Sequence, residues 1–137
     1  MEERNVQVVK DAYAAFGRGD VEAVLGAMTE DVEWNEAESM PYTCRQPGPQ
    51  EVAEQIFGPI VQDIEDFSVT PEEIVASGDL VVVICRYRGT GKATGRELDE
   101  PAVHVWDMRD GKLARFRQFL DTAKFLEVVP AEASVTA

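Results

Sequence analysis

The chain has 137 residues, 45% of them hydrophobic and 28% charged, the size and make-up of one globular domain rather than of a disordered segment. Acids outnumber bases 26 to 13, a formal charge of -13, which argues against nucleic acid or an anionic membrane as partner because both demand a cationic face. The longest apolar run, Leu80 to Cys85, is far shorter than the roughly 20 residues of a membrane span. Met1-Glu2-Glu3-Arg4-Asn5 has neither the basic region nor the apolar core of a signal peptide, so a cytoplasmic location is expected. Cys44, Cys85 and the single histidine are too few soft ligands for a zinc site, and both cysteines are expected as thiols.

In chain order, Val6, Val9, Tyr13 and Phe16 recur at helical spacing and predict a helix over residues 3–17 that buries that stripe. Gly17-Arg18-Gly19 ends it, and Asp20 is an N-cap for a short second helix with Val21, Val24, Leu25 and Met28 inward. A short strand follows over 32–36. The segment 37–49, with Pro41, Pro47 and Pro49, reads as an ordered loop. Val52, Ala53, Ile56, Phe57 and Ile60 give a third helix, which Pro59 must kink or end.

Beyond Asp66 the pattern turns to strands over 67–77, 80–90, 97–109 and 112–121, with turns at Gly78-Asp79 and Asp110-Gly111. On the last strand Ala114, Phe116, Gln118 and Leu120 alternate with Arg115 and Arg117. Gly89-Thr90-Gly91-Lys92 lacks the spacing of a phosphate loop and reads as a turn. Residues 122–128 form a final helical turn capped by Asp121, and 129–137 read as a frayed tail beyond a single domain over 1–128. Three helices followed by an antiparallel meander make an α+β fold: a curved antiparallel sheet covered on one face, a cone with an apolar interior open at one end.

Tyr13-Ala14-Ala15-Phe16-Gly17-Arg18-Gly19-Asp20, Glu30-Asp31-Val32-Glu33-Trp34, Pro41-Tyr42, Arg109-Asp110-Gly111-Lys112 and Phe116-Arg117-Gln118-Phe119-Leu120-Asp121 carry a resemblance. Over roughly residues 3–127 the chain resembles the SnoaL-like, ketosteroid-isomerase-related branch of the nuclear transport factor 2-like superfamily. The resemblance implies a cone-shaped α+β roll, a homodimer formed through the outer face of the sheet, and chemistry without metal or organic cofactor. It is specific for fold rather than activity, since the fold hosts isomerases, cyclases, hydratases, epoxide hydrolases and binding modules.

Glu36 shares a strand face with Trp34, and an apolar neighbour raises a carboxylate's pKa by desolvation and suits it to proton transfer. By resemblance it corresponds to the general base of ketosteroid isomerases; the plainer alternative is a solvated acid at a strand end. His104 lies among Ala102, Val103, Val105 and Trp106, where a lone histidine is more often a hydrogen-bonded core residue. SnoaL-like cyclases similarly carry a histidine here, working near an aspartate on the last long strand. That aspartate's nearest equivalent is Gln118, which cannot take a proton. A three-residue loop at the last hairpin pairs His104 with Gln118, the arrangement favoured; a two-residue loop pairs Gln118 with Val103.

Tyr13 and Tyr42 are candidate donors to a ligand oxygen, Tyr13 with core packing as its default and Tyr42 as a residue closing over the mouth. The oxyanion-binding tyrosine and aspartate of ketosteroid isomerases fall at Ala12 and Val103, so steroid isomerisation is not expected. Nor is epoxide hydrolysis, because Arg86 is followed by Tyr87 and Arg88 rather than an R-x-D pair. Arg86 and Arg88 are read as outward-facing. The expected function is acid/base catalysis on a hydrophobic, carbonyl-bearing or polycyclic small molecule, with Glu36 as base and His104 as acid or orienting group. Gln118 and Tyr42 would anchor the ligand between Trp34, Phe16, Phe57, Trp106 and Phe116. The alternatives are a non-catalytic ligand-binding module and a structural dimer that recognises another protein.

Overall fold

The structure, a computed structural model, describes residues 2–130. Helix α1 (Glu2–Gly17) stops where Gly19 takes a φ of +75°, which a residue without Cβ adopts at no steric cost. Its most buried positions are Asn5, Val9, Ala12 and Ala15, a stripe rotated from the predicted one. Asn5 sets that rotation, its amide donating to Gly78 O at 3.2 Å and Asp79 Oδ1 at 3.1 Å. Tyr13 and Phe16 consequently sit at the edge of the stripe. Asp20 caps α2 (Val21–Gly26) as expected, accepting from Ala23 N at 3.2 Å. Met28 opens strand β1 (Met28–Asn35) instead of closing α2.

The third helical run covers 49–63: α3 (Pro49–Val52), a π turn (Ala53–Phe57) and α4 (Gly58–Asp63). Pro59 neither ends the run nor breaks it. It sits in the first turn of α4, separated from the π turn by Gly58 alone, where the lack of an N–H is tolerated. Strands β2 (Ile64–Ser77), β3 (Leu80–Gly91), β4 (Glu97–Arg109) and β5 (Lys112–Leu120) then form the meander, closed by α5 (Thr122–Val128), which Asp121 caps at Lys124 N. The sheet order is β1-β5-β4-β3-β2, curved and unclosed. The meander is antiparallel, but β1 joins the edge of β5 in parallel, so the sheet is not wholly antiparallel.

The last hairpin shows how register places the site. Asp110 (φ +52°) and Gly111 (φ +74°) form a two-residue turn between paired Arg109 and Lys112. Alone it would set Gln118 opposite Val103. A bulge follows, Met108 pairing with Leu113 but Asp107 with Arg115, and the extra residue, Ala114, moves the register by one. His104 therefore faces Gln118: the favoured pairing, reached by a tight turn plus a bulge rather than a longer loop. The bulge also corrects the inward set of β5, which buries Leu113, Phe116 and Gln118 and leaves Ala114 half-buried.

β3 continues through Gly89-Thr90-Gly91, so the turn expected there begins only at Lys92. Val128 and Val129 are buried in the same core as Phe116 and Phe125, so the domain includes Val129; residues 131–137 of the predicted tail lie outside the described residues. No helix among the described residues is long and apolar enough to cross a membrane.

Candidate functional site

Alternation along the strands sends Val83, Cys85 and Tyr87 of β3, Ala102, His104 and Trp106 of β4, and Phe116 and Gln118 of β5 to the helix-covered face. There they meet α1, the 49–63 run and the end of β1 around a cavity of about 70 Å³. Of the predicted residues, Tyr13, Phe16, Trp34, Glu36, Phe57, His104, Trp106, Phe116 and Gln118 all line it. Its aromatic wall is tightly coupled: Trp34 stacks on Phe116 at 3.8 Å between centroids and meets Phe57 and Trp106 edge-on at 5.4 and 5.6 Å.

Through one side of the wall runs a chain of hydrogen bonds. Trp106 Nε1 donates to the Tyr13 hydroxyl at 3.0 Å, and that hydroxyl lies 2.5 Å from His104 Nδ1. On the other side of the ring, His104 Nε2 lies 2.5 Å from the Tyr87 hydroxyl, which accepts from Gln118 Nε2 at 2.8 Å. Gln118 Oε1 accepts from Ala37 N at 3.1 Å, and since a backbone N–H can only donate, this contact fixes the orientation of the amide. Burial lowers the His104 pKa to about 3, keeping the imidazole neutral, and raises both phenols well above their usual value. Both ring nitrogens of His104 thus face tyrosine hydroxyls, Tyr13 on the Nδ1 side and Tyr87 on the Nε2 side.

Glu36 follows the last residue of β1. The residue is half-buried, but its carboxylate is turned inward. Oε2 accepts from Trp34 Nε1 at 2.8 Å, while Oε1 is buried with no hydrogen-bond partner among the described residues. Desolvation pushes this carboxyl from 4.5 to about 7, opposed by the Trp34 indole and the Gln118 amide. Trp34 thus acts against the burial that raises this pKa, while its N–H holds the carboxylate in place.

Tyr42 departs from expectation. It is buried at 2% exposure, but away from the cavity lining, with its hydroxyl donating to Asp63 Oδ2 at 2.9 Å and its ring edge-on to Phe125. The Pro-rich loop is tied down there instead of closing a mouth. Tyr87, which residue type alone does not single out, joins the cavity lining and the His104 hydrogen-bond chain. Its signal was the same alternation that turns Arg86 and Arg88 outward, where both pair with Asp99, and so turns Tyr87 inward. Phe67 also lines the cavity, edge-on to Tyr87. A second carboxylate, Glu100, is 0% exposed with neither oxygen partnered among the described residues, but it lies outside this cavity. Both cysteines are free thiols, and no group of three or more His, Cys, Asp or Glu among the described residues could hold a metal ion.

The SnoaL-like domain model matches residues 9–116. The chain belongs to the SnoaL-like family. Among solved structures, an NTF2-like protein of unknown function from Burkholderia pseudomallei shares 32% identity over 93% of this chain and 98% of its own, with a TM-score of 0.83. TerC, co-crystallised with polyporic acid, shares 30% identity over 91% and 97%, with a TM-score of 0.82. A putative SnoaL-like polyketide cyclase from Jannaschia sp. CCS1, at 20% identity over 93% and 92% and a TM-score of 0.81, shares the fold. No curated protein matches the chain.

Proposed function

We propose that this SnoaL-like protein is an acid/base enzyme of the isomerase or cyclase type, acting on a hydrophobic, carbonyl-bearing small molecule, with Glu36 as its base. The observation that carries this reading is a shielded carboxylate with one unpartnered oxygen at an aromatic cavity whose other polar groups are neutral donors and acceptors. A carboxyl with a pKa of about 7 exchanges protons readily at neutral pH, which a solvated glutamate does poorly. Glu36 takes a proton from the carbon beside the ligand carbonyl, the electron pair moves onto the carbonyl oxygen, and a cavity phenol donates a hydrogen bond to that oxygen. Glu36 then returns the proton to the same or a conjugated carbon. The co-crystallisation of TerC, 30% identical to this chain, with polyporic acid, a hydroxyquinone, supports a carbonyl-bearing ligand here.

The test is base-catalysed exchange. With 2-tetralone as a probe carbon acid in deuterium oxide, the protein should accelerate loss of the α-proton signal. Glu36→Gln should lower that rate by about 10²–10⁴-fold. Equal rates in the two proteins would remove Glu36 from the role and leave a ligand-binding module.

We also propose that the outer sheet face seats a second copy of the chain. Val75, Val82, Val105 and Ile84, Val103, Phe119 form apolar rows across the strands there, with Phe119 53% and Val75 62% exposed. Light scattering should give twice the chain mass for the protein and a monomer for Phe119→Lys; a monomer in both would end this proposal.

A further inference from the structure

The hydrogen-bond chain through His104 can be counted proton by proton. The Trp106 indole has only a donor to offer Tyr13, and Gln118, with its oxygen held by Ala37 N–H, presents only its NH₂ to Tyr87. Each phenol oxygen therefore already accepts one hydrogen bond and has left its own proton and one lone pair. Between the phenols lies a neutral imidazole, with one N–H and one bare nitrogen. The Cys85 thiol, 3.8 Å from both ring nitrogens, donates its own proton to Ala102 O at 3.5 Å and adds none to the count. Each of the ring's two links, 2.5 Å on either side, needs one proton. The ring supplies one, and one phenol supplies the other at the bare nitrogen. Three protons thus serve two links, and a single phenol proton is left over.

We infer that His104 is a tautomer switch: the nitrogen carrying its one proton decides whether Tyr13 or Tyr87 keeps a free hydroxyl proton for a ligand oxygen. With the proton on Nδ1, the ring donates to Tyr13, Tyr87 donates to Nε2, and the Tyr13 hydroxyl is free. With the proton on Nε2, the ring donates to Tyr87, Tyr13 donates to Nδ1, and the Tyr87 hydroxyl is free. Both residues line the cavity, so either free hydroxyl belongs to the same site. The Tyr87 position adjoins Glu36 through Gln118 and Ala37, whereas the Tyr13 position lies on the Trp106 side. The site therefore accepts a ligand with one strong acceptor oxygen, a carbonyl or enolate, in either of two registers relative to the base, without any change of net charge. His104 is a positioning residue in this scheme, and the group that meets the ligand is a tyrosine. The inference rests on the reading of Glu36 as base only in naming the ligand; the proton count involves the protein's own groups alone.

His104 is the only histidine in the chain, so ¹⁵N-histidine labelling gives one imidazole whose protonated and bare nitrogens resonate far apart. From pH 5 to 8 the ring should stay neutral. In Tyr13→Phe the proton should settle on Nε2, facing Tyr87, and in Tyr87→Phe on Nδ1, facing Tyr13, because an unsatisfied buried N–H costs more than an empty lone pair. If either variant fails to fold, a second pair acts from outside the triad. Trp106→Phe frees an acceptor site on Tyr13 and should draw the proton to Nδ1; Gln118→Leu does the same at Tyr87 and should draw it to Nε2. The same tautomer in both members of a pair, or an imidazolium signal within that pH range, would overturn the switch. Neither outcome touches the Glu36 proposal, which the exchange experiment decides by itself.

Discussion

Replacing Glu36 by Gln should stabilise the protein above neutral pH and have little effect in mild acid. The carboxyl is pushed from 4.5 to about 7 because burial desolvates its charged form, an effect only partly offset by the hydrogen bonds of Trp34 and Gln118. A folded-state pKa above the unfolded value means that the folded protein holds the proton more tightly. The corresponding stability is fully present below pH 4.5 and is lost as pH rises through 7. At about 1.4 kcal/mol per tenfold change in proton affinity, ionising Glu36 in the folded state costs about 3 kcal/mol. Glutamine has nearly the same shape, can accept from Trp34 Nε1, and does not ionise. Urea unfolding of both proteins from pH 4.5 to 8.5 isolates this one group, since the other acids cancel in the difference. The variant's advantage should grow from near zero to about 3 kcal/mol, with most of the change between pH 5 and 7.5. A difference that stays flat over this range would show that Glu36 is solvated, and the site would lose its base.

Other perturbations test the surrounding structure. A Cβ at Gly91 would collide with Val128 O and come within 2.9 Å of Thr94 Oγ1 and Val128 Cγ1, so Gly91→Ala should cost about 1–3 kcal/mol in thermal unfolding by forcing α5 off the end of β3. Glu100→Gln should raise stability above pH 7 but not at pH 4.5, since burial, with Asp121 adding to it and Lys124 opposing it, holds that carboxyl at about 7. Asp20→Ala should cost about 1 kcal/mol through loss of the α2 cap. Asp20→Asn should be nearly neutral, because its ion pair with Arg18 is 3.6 Å long and exposed.

The fold was legible because burial repeats with the period of each element. The alternation of β4 and the Asp110-Gly111 turn place Trp106 opposite Phe116 once Ala114 is allowed to bulge, and a bulge leaves no mark in the pattern of residue types. The rotation of α1 was hidden for a related reason: Asn5 is buried because it reaches the Gly78-Asp79 turn, a contact 73 residues away that helical periodicity cannot register. In the site, Glu36 and Trp34 could be linked through sequence spacing alone, and nine of the ten singled-out side chains meet at one cavity. Tyr42 escaped because a proline-rich loop has no periodicity to say which way it folds, and its partner, Asp63, lies at the end of α4. The role of His104 as a ring held between two phenols was illegible, because Tyr13 and Tyr87 come together only when α1 packs across β3 and β4.

In the proposed reaction Glu36 moves a proton at a pKa set by its burial. The pH profile of 2-tetralone deuterium exchange, with the buffer rate subtracted, tests it most directly. The rate should rise with the ionised fraction of Glu36, reach its midpoint at a pH of about 7 and level off above, and the whole pH-dependent increment should vanish in Glu36→Gln. A midpoint near 4.5, or an unchanged profile in the variant, would contradict it.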